Sequence, residues 1–113
     1  MTGIQGSGSS GGTLYLDNAS TPYALTYATN NGQTILFNSA NGVLTLNLPN
    51  PATNPTFSFS VTDYAGSCGT YNLTLHRYGS ENIQNVAADY IYAASFGSFT
   101  VVENGTNWYL RSN

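Results

Sequence analysis

The chain is 113 residues long, and only 6% of them are charged, where a soluble domain ordinarily carries about a quarter. Two Arg and no Lys are set against five carboxylates, a net charge of −3, so a row of phosphates cannot be neutralised and nucleic acid is excluded as a partner. No apolar run approaches the roughly 20 residues that span a bilayer, and the N-terminus has neither the charged n-region nor the apolar h-region of a signal peptide, so no membrane partner is expected.

Ser, Thr, Asn and Gly together supply 52 of the 113 residues, so hydroxyls and amides must coat the surface. In chain order, residues 1–12 (MTGIQGSGSSGG) are too rich in Gly and Ser to offset their ordering entropy. They are expected to form a flexible N-terminal arm in which Ile4 is the sizeable apolar anchor. Residues 13–113 are expected to be one β-sandwich domain, since a 41% hydrophobic chain of this length suffices for one core.

Apolar and polar residues alternate through Leu44, Leu46 and Leu48, through Phe57, Phe59 and Val61, and through Tyr71, Leu73 and Leu75. That period marks half-buried strands. Seven to nine short strands are expected, near 13–17, 23–29, 34–39, 43–48, 57–62, 70–77, 90–94, 98–103 and 106–111. The best helical candidate, 83–94, supports at most one turn.

Three Asn-Gly pairs, Asn31-Gly32, Asn41-Gly42 and Asn104-Gly105, tolerate the positive φ of two-residue hairpin turns. A hairpin at Asn104-Gly105 sets Val101 against Trp108 and Phe99 against Leu110. One at Asn41-Gly42 sets Phe37 against Leu46 and Ile35 against Leu48. Asn31-Gly32 fits less well, because it pairs Tyr27 with Leu36 on the opposite face. Pro49, Pro51 and Pro55 prohibit a central strand over 48–56 and mark a loop crossing between sheets. The expected fold is all-β, an antiparallel β-sandwich with jelly-roll-like connectivity.

The inventory for catalysis is thin, and no enzyme is expected. His76 is the single imidazole, and a triad would have to recruit it with Asp63 or Asp89 and a serine or Cys68. Alternation puts His76 on the polar face with Asn72 and Thr74. Cys68, the one cysteine, cannot form an internal disulfide and reads as a small buried hydrophobe. One His and one Cys do not make a zinc site, and neither a calcium loop nor a phosphate-cradling glycine motif occurs, so no metal or cofactor is expected. The nine tyrosines are the informative excess, because Tyr serves at interfaces and on sugar-stacking faces. Tyr23, Tyr71 and Tyr109 are expected in the core or at its rim. Tyr27, Tyr64, Tyr78 and Tyr92 are harder to place inward and, with Leu36, are candidates for a subunit interface or a glycan contact.

Tyr23-Ala-Leu-Thr-Tyr leads into Asn31-Gly-Gln-Thr-Ile-Leu-Phe-Asn38. Val43-Leu-Thr-Leu-Asn-Leu-Pro49, Phe59-Ser-Val-Thr-Asp63-Tyr-Ala-Gly66 and Asn104-Gly-Thr-Asn-Trp108-Tyr-Leu follow. In this order, a strand ending in Leu-Pro, a strand closing on Asp-x-x-Gly and a terminal Asn-Gly-x-Asn-Trp hairpin, the chain resembles small β-domains of tailed-phage virion proteins, found in tail fibres, baseplates and capsid decoration proteins. Two features depart from that pattern: the usual Asp of the first hairpin is Asn here, and no Ile-x-Gly turn follows Gly79.

The resemblance implies a non-enzymatic virion structural protein. The small size favours a capsid decoration (cement) protein on the capsid surface, a homotrimer that reinforces joins between subunits of the major capsid protein. Ile4, Leu14, Tyr15 and Leu16 are then the expected capsid contacts. The alternative is a tail-fibre or tail-tip module that binds host surface polysaccharide through exposed tyrosines.

Overall fold

In a computed structural model of the protein, which describes residues 12–54 and 56–112, the alternating segments become nine strands in two mixed sheets. The five-stranded sheet contains β1 (Thr13–Asp17), β3 (Thr34–Asn38), β5 (Phe59–Asp63), β8 (Ser98–Glu103) and β9 (Trp108–Ser112), side by side in that order. The four-stranded sheet contains β2 (Tyr23–Ala24), β4 (Leu44–Asn47), β6 (Leu73–His76) and β7 (Tyr90–Tyr92), again in that order. Up to β6 the chain changes sheet after every strand. It winds as three successive coils, each laid on the one before.

Winding makes the ladders parallel. β1–β3, β3–β5, β2–β4 and β4–β6 pair parallel, and only β5–β8, β6–β7 and β8–β9 pair antiparallel. The expected antiparallel, jelly-roll-like pairing is therefore corrected. The cause lies in the turns. A two-residue type I′ hairpin needs positive φ at both central residues, but Asn31 has φ −63° as the C-cap of a helical turn, and neither Asn41 nor Gly42 has positive φ. Gly42 serves close approach instead: a Cβ there would lie 2.8 Å from the Cβ of Asn18. Phe37, Ile35, Leu46 and Leu48 are all buried as expected, yet β3 and β4 belong to different sheets, so they meet through the core and not across a ladder.

The hairpin at Asn104-Gly105 does form, with a longer loop. Val101 pairs with Leu110 and Glu103 with Trp108, a slip of two residues from the expected register, which keeps every side chain on its face. The Asn104 Oδ1 causes the slip by accepting from the N–H groups of Thr106 and Asn107, at 3.0 and 2.8 Å. This side-chain turn occupies residues 104–107.

The expected strand over 23–29 stops at Ala24, and the one α-helical turn among the described residues follows at α1 (Tyr27–Asn30) instead of within 83–94. Thr26 caps it by accepting from Thr29 N–H, and the buried Asn30 Oδ1 accepts from Thr26 N–H at 2.8 Å. These local bonds satisfy backbone groups that a strand would leave to a ladder. The 48–56 segment crosses between the sheets as expected, with a short 3-10 turn at Pro51–Thr53. Residues 1–11, with Ile4 and nearly all of the expected arm, and Pro55 lie outside the described residues.

One core joins the inner faces. Leu16, Ile35, Phe37, Phe59, Val61, Phe99, Val101 and Trp108 come from the five-stranded sheet, and Leu44, Leu46, Leu73 and Leu75 from the other. Across the ladders Leu14, Ile35, Val61 and Phe99 share one row, and Leu16, Phe37 and Asp63 the next.

Asp63 thus puts a carboxylate where a hydrophobe is expected, 2% exposed. Its Oδ1 accepts from Ser39 Oγ at 2.6 Å and Gly66 N–H at 3.0 Å, and its Oδ2 accepts from Cys68 N–H and Phe96 N–H, both at 3.0 Å. One side chain holds three loops at this end of the sheet, those after β3 and β5 and the one before β8. Gly66 has φ +86°, and a Cβ there would run into the ring of Phe96. Because that ring is exposed and can swing aside, the backbone cost dominates. Gly66→Ala is expected to lower stability by about 1–2 kcal/mol, measured as a lower urea midpoint at unchanged slope.

Candidate functional site

Three places bring chemistry-bearing residues together. The first is the outer face of the five-stranded sheet. Outward positions on β3, β5 and β8 are Thr34, Leu36 and Asn38, Ser60 and Thr62, and Ser98, Thr100 and Val102, with no charge among them. Hydroxyls pair along the ladder, Ser60 with Thr100 at 2.8 Å and Thr62 with Ser98 at 2.9 Å. Asp17 and Arg111 sit only on the two edge strands, β1 and β9. Tyr15, 64% exposed, shares a row with Leu36, and its ring meets that of Tyr64 edge-on at 5.9 Å. That aromatic pair spans β3, which lies between β1, the strand of Tyr15, and β5, which Tyr64 directly follows.

The second place is the opposite end of the same sheet. Residues 50–52, 78–82 and 105–107 line a cleft of about 600 Å³. Glu81 builds its wall: Oε2 accepts from Tyr78 N–H at 2.7 Å and Trp108 Nε1–H at 3.1 Å, and Oε1 accepts from Gly79 N–H at 2.8 Å. Burial alone would raise the Glu81 carboxyl, but these donors outweigh it and hold its pKa below the ordinary value. Asn107 Oδ1 accepts from Asn82 N–H at 2.8 Å, which ties the hairpin tip to the 78–82 loop. The same loop continues along β9, where Trp108 N–H donates to Asn82 O and Gln84 N–H to Trp108 O.

The third is a surface group on the other sheet. His76 Nδ1 lies 2.8 Å from Asp89 Oδ2, and Asp89 Oδ1 accepts from Arg77 N–H at 2.9 Å. His76 therefore pairs with Asp89 and not with Asp63, at the edge of a half-exposed ion cluster. Among the described residues neither His76 nitrogen is hydrogen-bonded to a serine hydroxyl or to Cys68. Cys68 is fully buried with its Sγ 3.2 Å from Tyr92 O, and burial pushes its thiol up. No three of the described His, Cys, Asp and Glu residues are grouped so as to hold a metal ion.

The residues singled out from the sequence are distributed between surface and core. Leu16 is buried and Leu14 packs partly against the core, so on β1 it is Tyr15 that faces outward. Tyr64 and Tyr78 are exposed, Leu36 is half-buried on the outer face, and Ile4 lies outside the described residues. Tyr27 and Tyr92 lean on the core, against Phe57 at 6.0 Å and Phe99 at 4.3 Å. Tyr71, expected inward, is exposed because its strand begins only at Leu73. Phe96 was not legible as a surface residue: it is 71% exposed and held at φ +58°. The cleft was also missed, since its three segments are far apart in sequence and no local signal links them.

No protein-family model matches the chain, and no curated protein matches it.

Proposed function

We propose that the chain is a non-enzymatic structural protein of a tailed-phage virion, a capsid decoration protein that trimerises and binds the major capsid protein at the capsid surface. On this reading the two sheets act as a small sandwich wound from coils. The observation that carries it is the uncharged centre of the outer face of the five-stranded sheet, over β3, β5 and β8, where paired hydroxyls lie beside Tyr15, Leu36 and Tyr64 and the charges Asp17 and Arg111 are confined to the edge strands. The centre of such a face can be covered by another protein surface with no ion to desolvate.

β1 adds support. It is an edge strand reading Thr-Leu-Tyr-Leu-Asp, with neither the Lys nor the Pro that commonly guards a free edge. Since Leu14 and Leu16 turn inward, β1 offers a capsid subunit its backbone edge and Tyr15.

Sedimentation of the full chain at micromolar concentration is expected to give a trimer, and Tyr15→Glu with Leu36→Glu is expected to give a folded monomer. A wild-type monomer under those conditions, or a trimer indifferent to both charges, would overturn the reading. Density for the protein on the tail of purified particles, with none on the shell, would refute the capsid location.

A further inference from the structure

We infer that the cleft between residues 50–52, 78–82 and 105–107 is a binding site for a neutral saccharide, separate from the outer face proposed for assembly. The Tyr15–Tyr64 pair of that face and the cleft lie at opposite ends of β8: Ser98 is level with Tyr15, and Glu103 leads into the 104–107 turn at the cleft.

Charge narrows the ligand first. No Lys or Arg lines the cleft, so a phosphate or sulfate has no counter-ion there, and its one carboxylate, Glu81, repels anions. Glu81 is itself satisfied by three donors from the wall, so a cation would have to compete with bonds that hold the loop together.

What remains facing the space is neutral and rich in hydrogen-bonding groups. Asn50 and Asn107 use only their Oδ1 atoms within the fold, toward Ala52 N–H and Asn82 N–H. Their Nδ2 donors are therefore uncommitted among the described residues. The hydroxyls of Ser80 and Thr106 and the Asn82 amide are uncommitted in the same sense. Beside them stands Tyr78, a residue 62% exposed. An aromatic face next to several neutral donors and acceptors suits a sugar ring, which offers apolar C–H groups on its face and hydroxyls around its rim. The volume, about 600 Å³, lies within the range of roughly 300–1,000 Å³ usual for small-molecule sites and has room for a short oligosaccharide.

The site is also preorganised. Glu81 fixes Tyr78 and Gly79 through their backbone N–H groups and is anchored to the fully buried Trp108, while the Asn104 turn fixes Thr106 and Asn107. Little ordering is left for the ligand to drive.

Trp108 is the only tryptophan and lies behind the wall, so its fluorescence reports occupancy. The full chain is titrated with maltotriose, with the trimer of β-linked N-acetylglucosamine and with a rhamnose-containing trisaccharide, and with sialyllactose and inorganic phosphate as anionic probes. Saturable binding of at least one neutral sugar is expected, weakened about tenfold or more by Tyr78→Ala, the loss of a stacked ring, and unchanged by Tyr15→Ala. Far-UV circular dichroism verifies that both variants are folded. No saturable binding of any neutral sugar, binding indifferent to Tyr78→Ala, or tighter binding of the anionic probes would each overturn the inference. Monomeric wild-type protein that still binds sugar would refute the assembly reading alone.

Discussion

Asp63→Ala is expected to destabilise the fold by about 3–5 kcal/mol, because it strands four donors that one carboxylate now satisfies. The carboxylate serves Ser39 Oγ and the N–H groups of Gly66, Cys68 and Phe96. Removing it leaves three backbone N–H groups and a hydroxyl in a site only 2% exposed. For a chain of this size that corresponds to a fall in melting temperature of roughly 10–20 °C, measurable by circular dichroism. A loss below about 1 kcal/mol would show that water replaces the carboxylate. Asp63→Asn should be milder, since its Oδ1 still accepts while its Nδ2 opposes two donors.

The same residue imposes a pH dependence whose sign can be worked out. Burial by itself would raise the Asp63 carboxyl, but the bonds from Ser39, Phe96, Cys68 and Gly66 outweigh it and hold the folded-state pKa below the ordinary value. Between that lowered value and the unfolded one near about 3.9, the unfolded chain binds more protons, so stability rises with pH across the interval. The contribution is complete above the unfolded value and is lost as pH falls through the folded one. Glu81 and Asp89 are shifted in the same direction and add to the same acid limb. In Asp63→Asn the limb should be shallower in urea titrations below about pH 4, and an unchanged limb would remove Asp63 as its source.

Trp108→Ala is expected to cost a further large amount, about 3–5 kcal/mol. The indole is fully buried, meets Phe57 edge-on at 6.0 Å and donates to Glu81 at 3.1 Å. Its loss opens a cavity between the last hairpin and Phe57 and frees the carboxylate that holds the 78–82 loop. Trp108→Phe keeps a ring in the core but no donor, and should cost about 1–2 kcal/mol. Urea unfolding followed by circular dichroism separates the two variants; equal losses would mean that the bond to Glu81, and not the ring volume, carries the effect.

Much of the inner and outer assignment was legible because it rests on a local rule. Alternation alone put Leu44, Leu46, Phe57, Phe59, Val61, Leu73 and Leu75 inside and His76 outside, and each is found there. Cys68 is buried as read, and the Asp-x-x-Gly ending of β5 has a physical basis in the bond from Gly66 N–H to Asp63 Oδ1. A clue to the coils was also present: Leu-Thr-Leu at 44–46 recurs at 73–75, and the two lie in register in neighbouring strands. Thr-Leu-Tyr-Leu-Asp and Thr-Ile-Leu-Phe-Asn likewise pair residue for residue in β1 and β3.

Other features could not be read locally. An Asn-Gly pair is equally suited to a hairpin and to a bend between sheets, and what decides is whether the next strand finds its partner in the same sheet. The cleft depends on the 48–56 crossing, the 78–82 loop and the last hairpin arriving together, and no one of them carries the site.

The sequence by itself determined that charge is scarce, that hydroxyls and amides abound, and which side chains of most strands point inward, because composition and a period of two are properties of the chain alone. Only the tertiary structure decided that the strands stack as parallel coils, that Asp63 is satisfied in the core and that a cleft forms beside Tyr78. The physical reason is that side-chain alternation specifies a strand's faces, whereas its hydrogen-bonding edges are neutral to identity and take whichever strand the winding of the chain delivers.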